Sequence, residues 1–178
     1  SIMQGFGVGA GYTNVNNQLI ILGSYDLIAR TVDSLPYMNV EYITKGRFKT
    51  RNIYRNSPIE VEYDWLDPMA YYQLFRCEVQ TDGSLKVTTY EENDNFEYRT
   101  QYGEELHTSL FRARIWPTDM MMSPGQHIYF RFRSKESLTD EFSSRLQLNF
   151  LAEQSTVLGI QLVGETPQRD REFIDKLS

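Results

Sequence analysis

The apolar residues of this chain change their spacing twice. From Asn14 to Pro36, and again after Ser134, they recur about every 3.6 residues, which is typical of helices that bury one face. Between Tyr37 and Arg133 they alternate with polar residues, which is typical of strands with one buried side. These changes predict an α+β fold, in which a helix-flanked base carries an inserted antiparallel β sandwich or barrel.

The same pattern predicts the domain boundaries. Residues 1–13 are rich in glycine and are predicted to be a flexible linker. They lack the preceding strand and the following lysine that a phosphate-binding loop needs. The α+β base is predicted to comprise residues 14–36 and 134–178, and the inserted β module residues 37–133.

The two ends of the chain carry the clearest helical signals. The first helix is closed by Pro36, and Gly23 predicts a break or a close approach by a neighbouring element. Its apolar stripe consists of Leu19, Leu22, Leu27, Ile28, Thr31, Val32 and Leu35. The last helix begins at Thr166, whose side chain can cap free amides, followed by Pro167. Its stripe consists of Phe173, Ile174 and Leu177.

The region between the β module and the last helix fits more than one assignment. Ser137 can cap a helix with Leu138 and Phe142 on one face. The apolar residues that follow satisfy both helical and strand spacing, and we predict a strand from about Leu146 to Ala152. A second strand is predicted from Val157 to Val163.

Within the β module the alternation predicts five or more short strands. Their inward-facing residues are Ile59, Val61 and Tyr63; Phe75, Cys77 and Val79; Leu85 and Val87; Phe111, Ala113 and Ile115; Ile128, Phe130 and Phe132. The segment from Thr81 to Ser84 predicts a tight hairpin, because Asp82 and Gly83 tolerate positive φ angles.

Charge and cysteine content exclude several classes of protein. The net charge of -6 disfavours nucleic acid as a partner, because phosphate binding needs clustered basic residues. Arg131, Arg133 and Lys135 are predicted to lie on the solvent face of a strand rather than to form such a cluster. The single cysteine, Cys77, excludes an internal disulfide and is predicted to be a small core residue. No apolar run approaches the ~20 residues of a membrane span.

No set of residues in the sequence predicts a catalytic, cofactor or metal site. His107 and His127 have no partner at metal-ligand spacing. Ser109 and Ser123 lack the context of a nucleophile. The carboxylates considered for glycan hydrolysis are Glu91, Glu92, Asp94 and Glu97, and the polar stretch around them predicts a solvated loop.

The twelve tyrosines and two tryptophans suggest a different kind of site. Trp65 and Trp116 can form a platform for sugars, since an aromatic face suits the apolar face of a sugar ring. They can equally belong to a β core, where aromatic residues are favoured. Met120, Met121 and Met122 either form a flexible contact surface or cover one end of the sandwich.

Four segments resemble the Wzz-type chain-length determinants, a family that includes the extracytoplasmic part of the Wzc-like bacterial tyrosine kinases. The segments are "NVNNQLIILGSYDLIARTVDSL", "YRNSPIEVEYD", "FEYRTQYGEELHTSLFRARI" and "SSRLQLNFLAEQSTVLGIQLVGETPQRDREFIDKL". The second is similar to variants typical of the Bacteroidetes group. In the first, the positions that match are Asn17, Gln18, Ile21, Leu22, Ser24, Leu27, Arg30, Val32 and Leu35. Ile20 and Gly23 depart from the acidic residue and the lysine that are usual there.

The resemblance implies a function in polysaccharide export. A member of this family is a periplasmic domain anchored to the inner membrane by spans outside this segment. It assists the assembly and export of capsular or exopolysaccharide as a polysaccharide co-polymerase, without being an enzyme itself. The implied partners are further copies of the chain in a homo-oligomeric ring, and the polymerase and export machinery, with glycan as a further candidate. Any kinase activity would lie in a cytoplasmic part absent from this chain.

Two alternatives remain open from the residues. A secreted carbohydrate-binding β module would bind glycans through Trp65 or Trp116, and a glycan-active enzyme would depend on Glu91, Glu92 or Glu97.

The chain also lacks a methionine at position 1 and stops within a helical pattern, which predicts a segment cut from a longer protein.

Overall fold

The computed structural model describes residues 25–46, 50–91, 95–152 and 166–178, with side chains described to residue 146 in the third of these ranges. It has an α+β fold, as predicted. The predicted linker at 1–13, the first half of the first helix and the predicted strand at 157–163 lie outside the described residues. Across the described part of the chain, no helix combines the length and apolar character that a membrane crossing needs.

The chain divides into two compact units. The β unit is Met38–Arg133. The helical unit is assembled from chain on both sides of it, with described residues 25–37, 134–152 and 166–178. The helical unit is therefore built from two separate stretches of sequence, between which the β unit is inserted.

Three α-helices form the described part of the helical unit. They are α1 (Tyr25–Asp33), α2 (Lys135–Ala152) and α3 (Pro167–Leu177). Helix α1 contacts both α2 and α3. Its residues Ile28 and Val32 are almost fully buried, as the helical spacing predicts. Lys135 at the start of α2 also forms an ion pair with Asp33 at the end of α1.

Three sequence predictions for the helical unit are wrong. The strand predicted at Leu146–Ala152 belongs to α2, because its residues continue the helical stripe that begins with Leu138 and Phe142, both fully buried. Helix α2 begins before Ser137, and its first turn is capped by Ser134, whose Oγ accepts a hydrogen bond from Ser137 N at 3.1 Å. Thr166 precedes α3 without a capping bond from its side chain, and only its carbonyl accepts a bond from Asp170 N.

Nine strands are described in the β unit, in two antiparallel sheets. They are β1 (Val40–Lys45), β2 (Thr50–Asn52), β3 (Ile59–Leu66), β4 (Phe75–Val79), β5 (Leu85–Thr89), β6 (Glu97–Thr100), β7 (Glu105–His107), β8 (Phe111–Pro117) and β9 (His127–Phe132). The larger sheet has the order β2-β1-β9-β4-β5-β6, and the smaller has the order β3-β8-β7. The two sheets form a sandwich, and the described strands form no closed barrel.

Aromatic side chains fill the space between the two sheets. Phe75, Phe130 and Phe132 of the larger sheet meet Phe111 of the smaller one, and all four are fully buried. The centroids of Phe75 and Phe111 are 5.1 Å apart, with the rings edge to face. The two sheets are also joined by a hydrogen bond of 2.8 Å from Val61 N to the Tyr42 hydroxyl. This core holds the smaller sheet in place and leaves its other side in solvent.

The predicted hairpin joins β4 to β5. Gly83 has φ +84, and the Asp82 carboxylate accepts bonds from the Ser84 backbone and hydroxyl at 2.9 and 2.6 Å. Val79 pairs with Leu85 across the turn. The hairpin prediction from Thr81–Ser84 is confirmed.

Candidate functional site

The solvent side of the smaller sheet gathers the aromatic and charged residues that the sequence singled out. We call it the tryptophan face. It consists of Glu60, Glu62, Asp64 and Trp65 on β3, Arg112, Arg114 and Trp116 on β8, and Glu105 and His107 on β7. In the strand register, Glu60 lies opposite Trp116, Glu62 opposite Arg114, and Trp65 opposite Arg112. Residues opposite one another in an antiparallel pair share a side of the sheet, so both tryptophans face the same way.

Trp65 reaches this face because of a β-bulge. Along β3, Ile59, Val61 and Tyr63 point towards the core, and unbroken alternation would send Trp65 in the same direction. The register shifts between Tyr63 and Trp65, so Asp64 is the extra residue and Trp65 pairs with the outward-facing Arg112. The ring is consequently 40% exposed.

Alternation along β8 places Trp116 on the same face, and Gly103 leaves room for its ring. Gly103 has φ +79, and a Cβ built there would lie 3.0 Å from the six-membered ring of Trp116. A side chain at this position would press on the indole, and its backbone would hold a positive φ that residues other than glycine rarely adopt. The Trp116 ring is 42% exposed. Since Trp116 is four residues beyond Arg112 on β8, the two tryptophans are about 13 Å apart along the strands.

Ion pairs occupy the middle of the face. Arg112 Nε donates to Asp64 Oδ1 at 2.7 Å, and this bond holds the pKa of Asp64 below its usual value and that of Arg112 above it. Arg114 Nη1 donates to the Gly103 carbonyl at 2.6 Å, and its Nη2 lies 3.8 Å from Glu105. These contacts fix both guanidinium groups across the strands.

Other groups on the face have no protein partner among the described residues. The carboxylates of Glu60 and Glu62 take part in no hydrogen bond or ion pair there. The same holds for the indole N–H groups of Trp65 and Trp116, although Trp65 touches the edge of His107 at 6.2 Å between centroids. The face therefore offers two rings, two free donors and two free carboxylates to solvent.

The remaining candidates do not assemble into a catalytic or metal site within the described residues. His107 and His127 lie in different sheets, and the described residues contain no metal-binding group of three or more His, Cys, Asp or Glu side chains. Burial lowers the pKa of His127, with a further contribution from Arg76. Glu97 lies 3.7 Å from Arg99, while Glu92 and Asp94 are outside the described residues.

The backbone N–H groups of Ser109 and Ser123 donate hydrogen bonds to side chains. Ser109 N donates to the Tyr98 hydroxyl at 3.3 Å, and Ser123 N donates to Gln126 Oε1 at 2.8 Å. Neither contact provides a general base. Met120 and Met121 are more than half exposed in the loop between β8 and β9.

The basic residues of the β9 region have structural partners. Glu41 of β1 is 4% exposed and binds both Arg131, at 2.5 Å, and Arg133. Arg133 is only 11% exposed, so the prediction that it lies on a solvent face is wrong, because its charge is needed beside the buried Glu41 carboxylate. Lys135 is the first residue of α2, so its predicted place on a strand is also wrong, and it pairs with Asp33. Arg131, Arg133 and Lys135 thus form ion pairs rather than a free basic patch.

Cys77 is a core residue, as predicted. It is fully buried in β4, and desolvation raises the pKa of its thiol to about 12. It therefore stays protonated and unreactive in the folded chain.

Comparisons with known proteins give no family. No protein-family model matches the sequence, and no curated protein matches it with significance. Two crystal structures of FlgL from Xanthomonas campestris are distantly similar. One has a TM-score of 0.30 and 9% identity and covers 80% of this chain and 43% of that one. The other has a TM-score of 0.28 and 8% identity, with coverages of 96% and 76%. This chain thus spans less than half of the first of them, and similarity at this level carries no argument about fold or function.

Proposed function

We propose that this chain is the periplasmic domain of a polysaccharide co-polymerase, a chain-length determinant that assists assembly and export of capsular or exopolysaccharide. The proposal is motivated by the four segments, in order between Asn14 and Leu177, that resemble the Wzz-type family. The observation that carries it is the helical unit built from both sides of the β unit, with α1 contacting α2 and α3. Such a base suits a domain that both leaves and returns to a membrane.

In this role the domain organises other proteins and does not perform chemistry. Further copies of the chain in a ring, the separate polymerase and the export machinery are the proposed partners. Glycosyl transfer belongs to the polymerase, and any kinase activity to a cytoplasmic part of the full-length protein. The proposed location is the periplasm, with membrane spans outside this segment.

The test uses the full-length protein in its own cells. The proposal predicts that the domain is digested by protease added to spheroplasts, and that cells lacking the gene export less polysaccharide or polysaccharide of altered length. A plasmid copy of the gene should restore the original product. Protection of the domain in intact spheroplasts, or a product unchanged by the deletion, would count against the proposal. A full-length sequence with a secretion signal and no second span would favour a free binding module.

A further inference from the structure

The tryptophan face exposes two large apolar rings, whose burial would stabilise the fold. Trp65 and Trp116 are each about two-fifths exposed. The bulge at Asp64 turns Trp65 outward, and Gly103 leaves room for the ring of Trp116. The bulge turns outward a tryptophan that unbroken alternation would bury, whereas Trp116 faces outward by alternation along β8. Paired strands on a packed core hold the two rings at a fixed separation.

The groups between the rings are planar hydrogen-bonding groups. Arg112 and Arg114 are oriented by Asp64, Glu105 and the Gly103 carbonyl. The free carboxylates of Glu60 and Glu62 line the adjacent strand. A sugar ring has an apolar face for an indole and hydroxyl groups that can donate to a carboxylate and accept from an indole N–H or a guanidinium. The arrangement matches a chain of sugar rings lying along the strands.

Charge narrows the class of glycan. The face carries four carboxylates and two guanidinium groups, and both guanidinium groups already have a carboxylate partner. The charges left over, on Glu60 and Glu62, are negative, as is the net charge of the chain. A glycan with uronic acid or phosphate groups would be repelled, whereas neutral hydroxyl groups would form charge-assisted bonds to the carboxylates.

A protein partner fits this face less well. Aspartate and glutamate are depleted in protein interfaces, whereas here carboxylates lie between the two rings, where the core of an interface would form. We propose that the tryptophan face binds a neutral polysaccharide chain, with Trp65 and Trp116 stacking on sugar rings and Glu60 and Glu62 accepting bonds from hydroxyl groups. This inference stands on the β unit alone and does not depend on the co-polymerase role.

Affinity electrophoresis of the whole 178-residue chain tests the proposal. Native gels would contain dextran, galactomannan or mixed-linkage β-glucan as neutral probes, polygalacturonate as an acidic probe and glycol chitosan as a cationic one. The variants are Trp65→Ala and Trp116→Ala, singly and together, with Trp116→Phe as the conservative change. The matched control is Tyr90→Ala, which removes a 46% exposed ring that packs on Tyr129 of the larger sheet. Circular dichroism and thermal melts would confirm that each variant is folded.

We expect the wild-type chain to be retarded in at least one neutral gel. Each Trp→Ala change should weaken that binding about five- to tenfold, the value of one aromatic contact, and the double change should abolish it. Trp116→Phe should retain part of the binding, and Tyr90→Ala all of it. The proposal is overturned by no retardation in any neutral gel, by equal retardation of the double variant, or by retardation confined to the acidic or cationic gel. Such an outcome leaves the co-polymerase role to its own test in cells.

Discussion

Phe142 of α2 and Phe173 of α3 stack face to face, with ring centroids 3.9 Å apart and planes 3° from parallel. Both rings are fully buried. The guanidinium carbons of Arg169 and Arg145 lie 5.2 and 5.8 Å from the Phe142 centroid and add cation–π attraction. The pair thus joins the last described helix to the helix that leaves the β unit.

Truncating this stack should destabilise the helical unit. Phe173→Ala removes a buried ring and leaves a cavity, so we expect the free energy of unfolding to fall by about 3–5 kcal/mol. Asp175→Ala, on the exposed side of the same helix, should change it by less than about 0.5 kcal/mol. Urea unfolding followed by far-UV circular dichroism compares them. Equal stability of the two variants would show that the rings do not pack as described.

A buried ion pair beside the stack should respond differently to single and double changes. The Asp170 carboxylate is 4% exposed and accepts two bonds from Arg145, one of 3.0 Å. Asp170→Ala removes both carboxylate acceptors from a largely buried guanidinium, which should cost about 3–5 kcal/mol. Replacing both residues, as Asp170→Leu with Arg145→Met, should recover most of that loss. Loss of stability in the double variant equal to the sum of the losses for Asp170→Leu and Arg145→Met made singly would contradict this reading.

Gly83 and Gly103 have similar positive φ angles, but only Gly103 lies against Trp116. Alanine at each position therefore distinguishes the effect of backbone strain from that of contact with Trp116. Gly83→Ala meets open space and should cost about 1 kcal/mol from its positive φ alone. Gly103→Ala carries the same strain and also pushes its Cβ against the Trp116 ring. In a Trp65→Phe background, we expect the fluorescence of Trp116 to change for Gly103→Ala only. An identical spectrum for both variants would mean that Trp116 does not lie over Gly103.

Burial of Cys77 should make stability fall at high pH. The folded thiol has a pKa of about 12, so it is neutral in both states below about pH 9, and above that only the unfolded state ionises. The thiol's contribution to stability is complete below pH 9 and is lost as the pH rises towards 12, by up to about 1.4 kcal/mol per pH unit. Unfolding curves of wild type and Cys77→Ala between pH 8 and 11 measure the difference in slope. Parallel slopes would show that the thiol is accessible in the folded chain.

The strands were predictable because their alternation reports one buried face. Val61, Cys77 and Ile128 lie inside the sandwich as their spacing predicts. The helical state of Leu146–Ala152 was not predictable, since its apolar residues satisfy both helical and strand spacing. These residues continue the helix that carries Phe142, and Phe142 packs on Phe173, which is distant in sequence. Ser134 and Ser137 are both plausible caps of α2 by residue type, and only the structure shows that Ser134 is the one that caps it.

The candidate site was predictable only in its residue types. The sequence allows Trp65 and Trp116 to lie either in the core or on a platform, and alternation along β3 favours the core for Trp65. The bulge that turns Trp65 outward is a property of the pairing between β3 and β8 and leaves no local pattern. The partnership of Glu41 with Arg131 and Arg133 joins strands 90 residues apart in sequence, and spacing carries no information about it.

The most direct test of the account is the molar-mass distribution of polysaccharide exported by cells that lack the gene, measured by size-exclusion chromatography with light scattering. The cells would carry either an empty plasmid or one that encodes the full-length protein. A role in chain-length control predicts two distributions with different modal masses, or loss of the polymer without the gene. Identical distributions at equal yield would contradict a role in chain-length control.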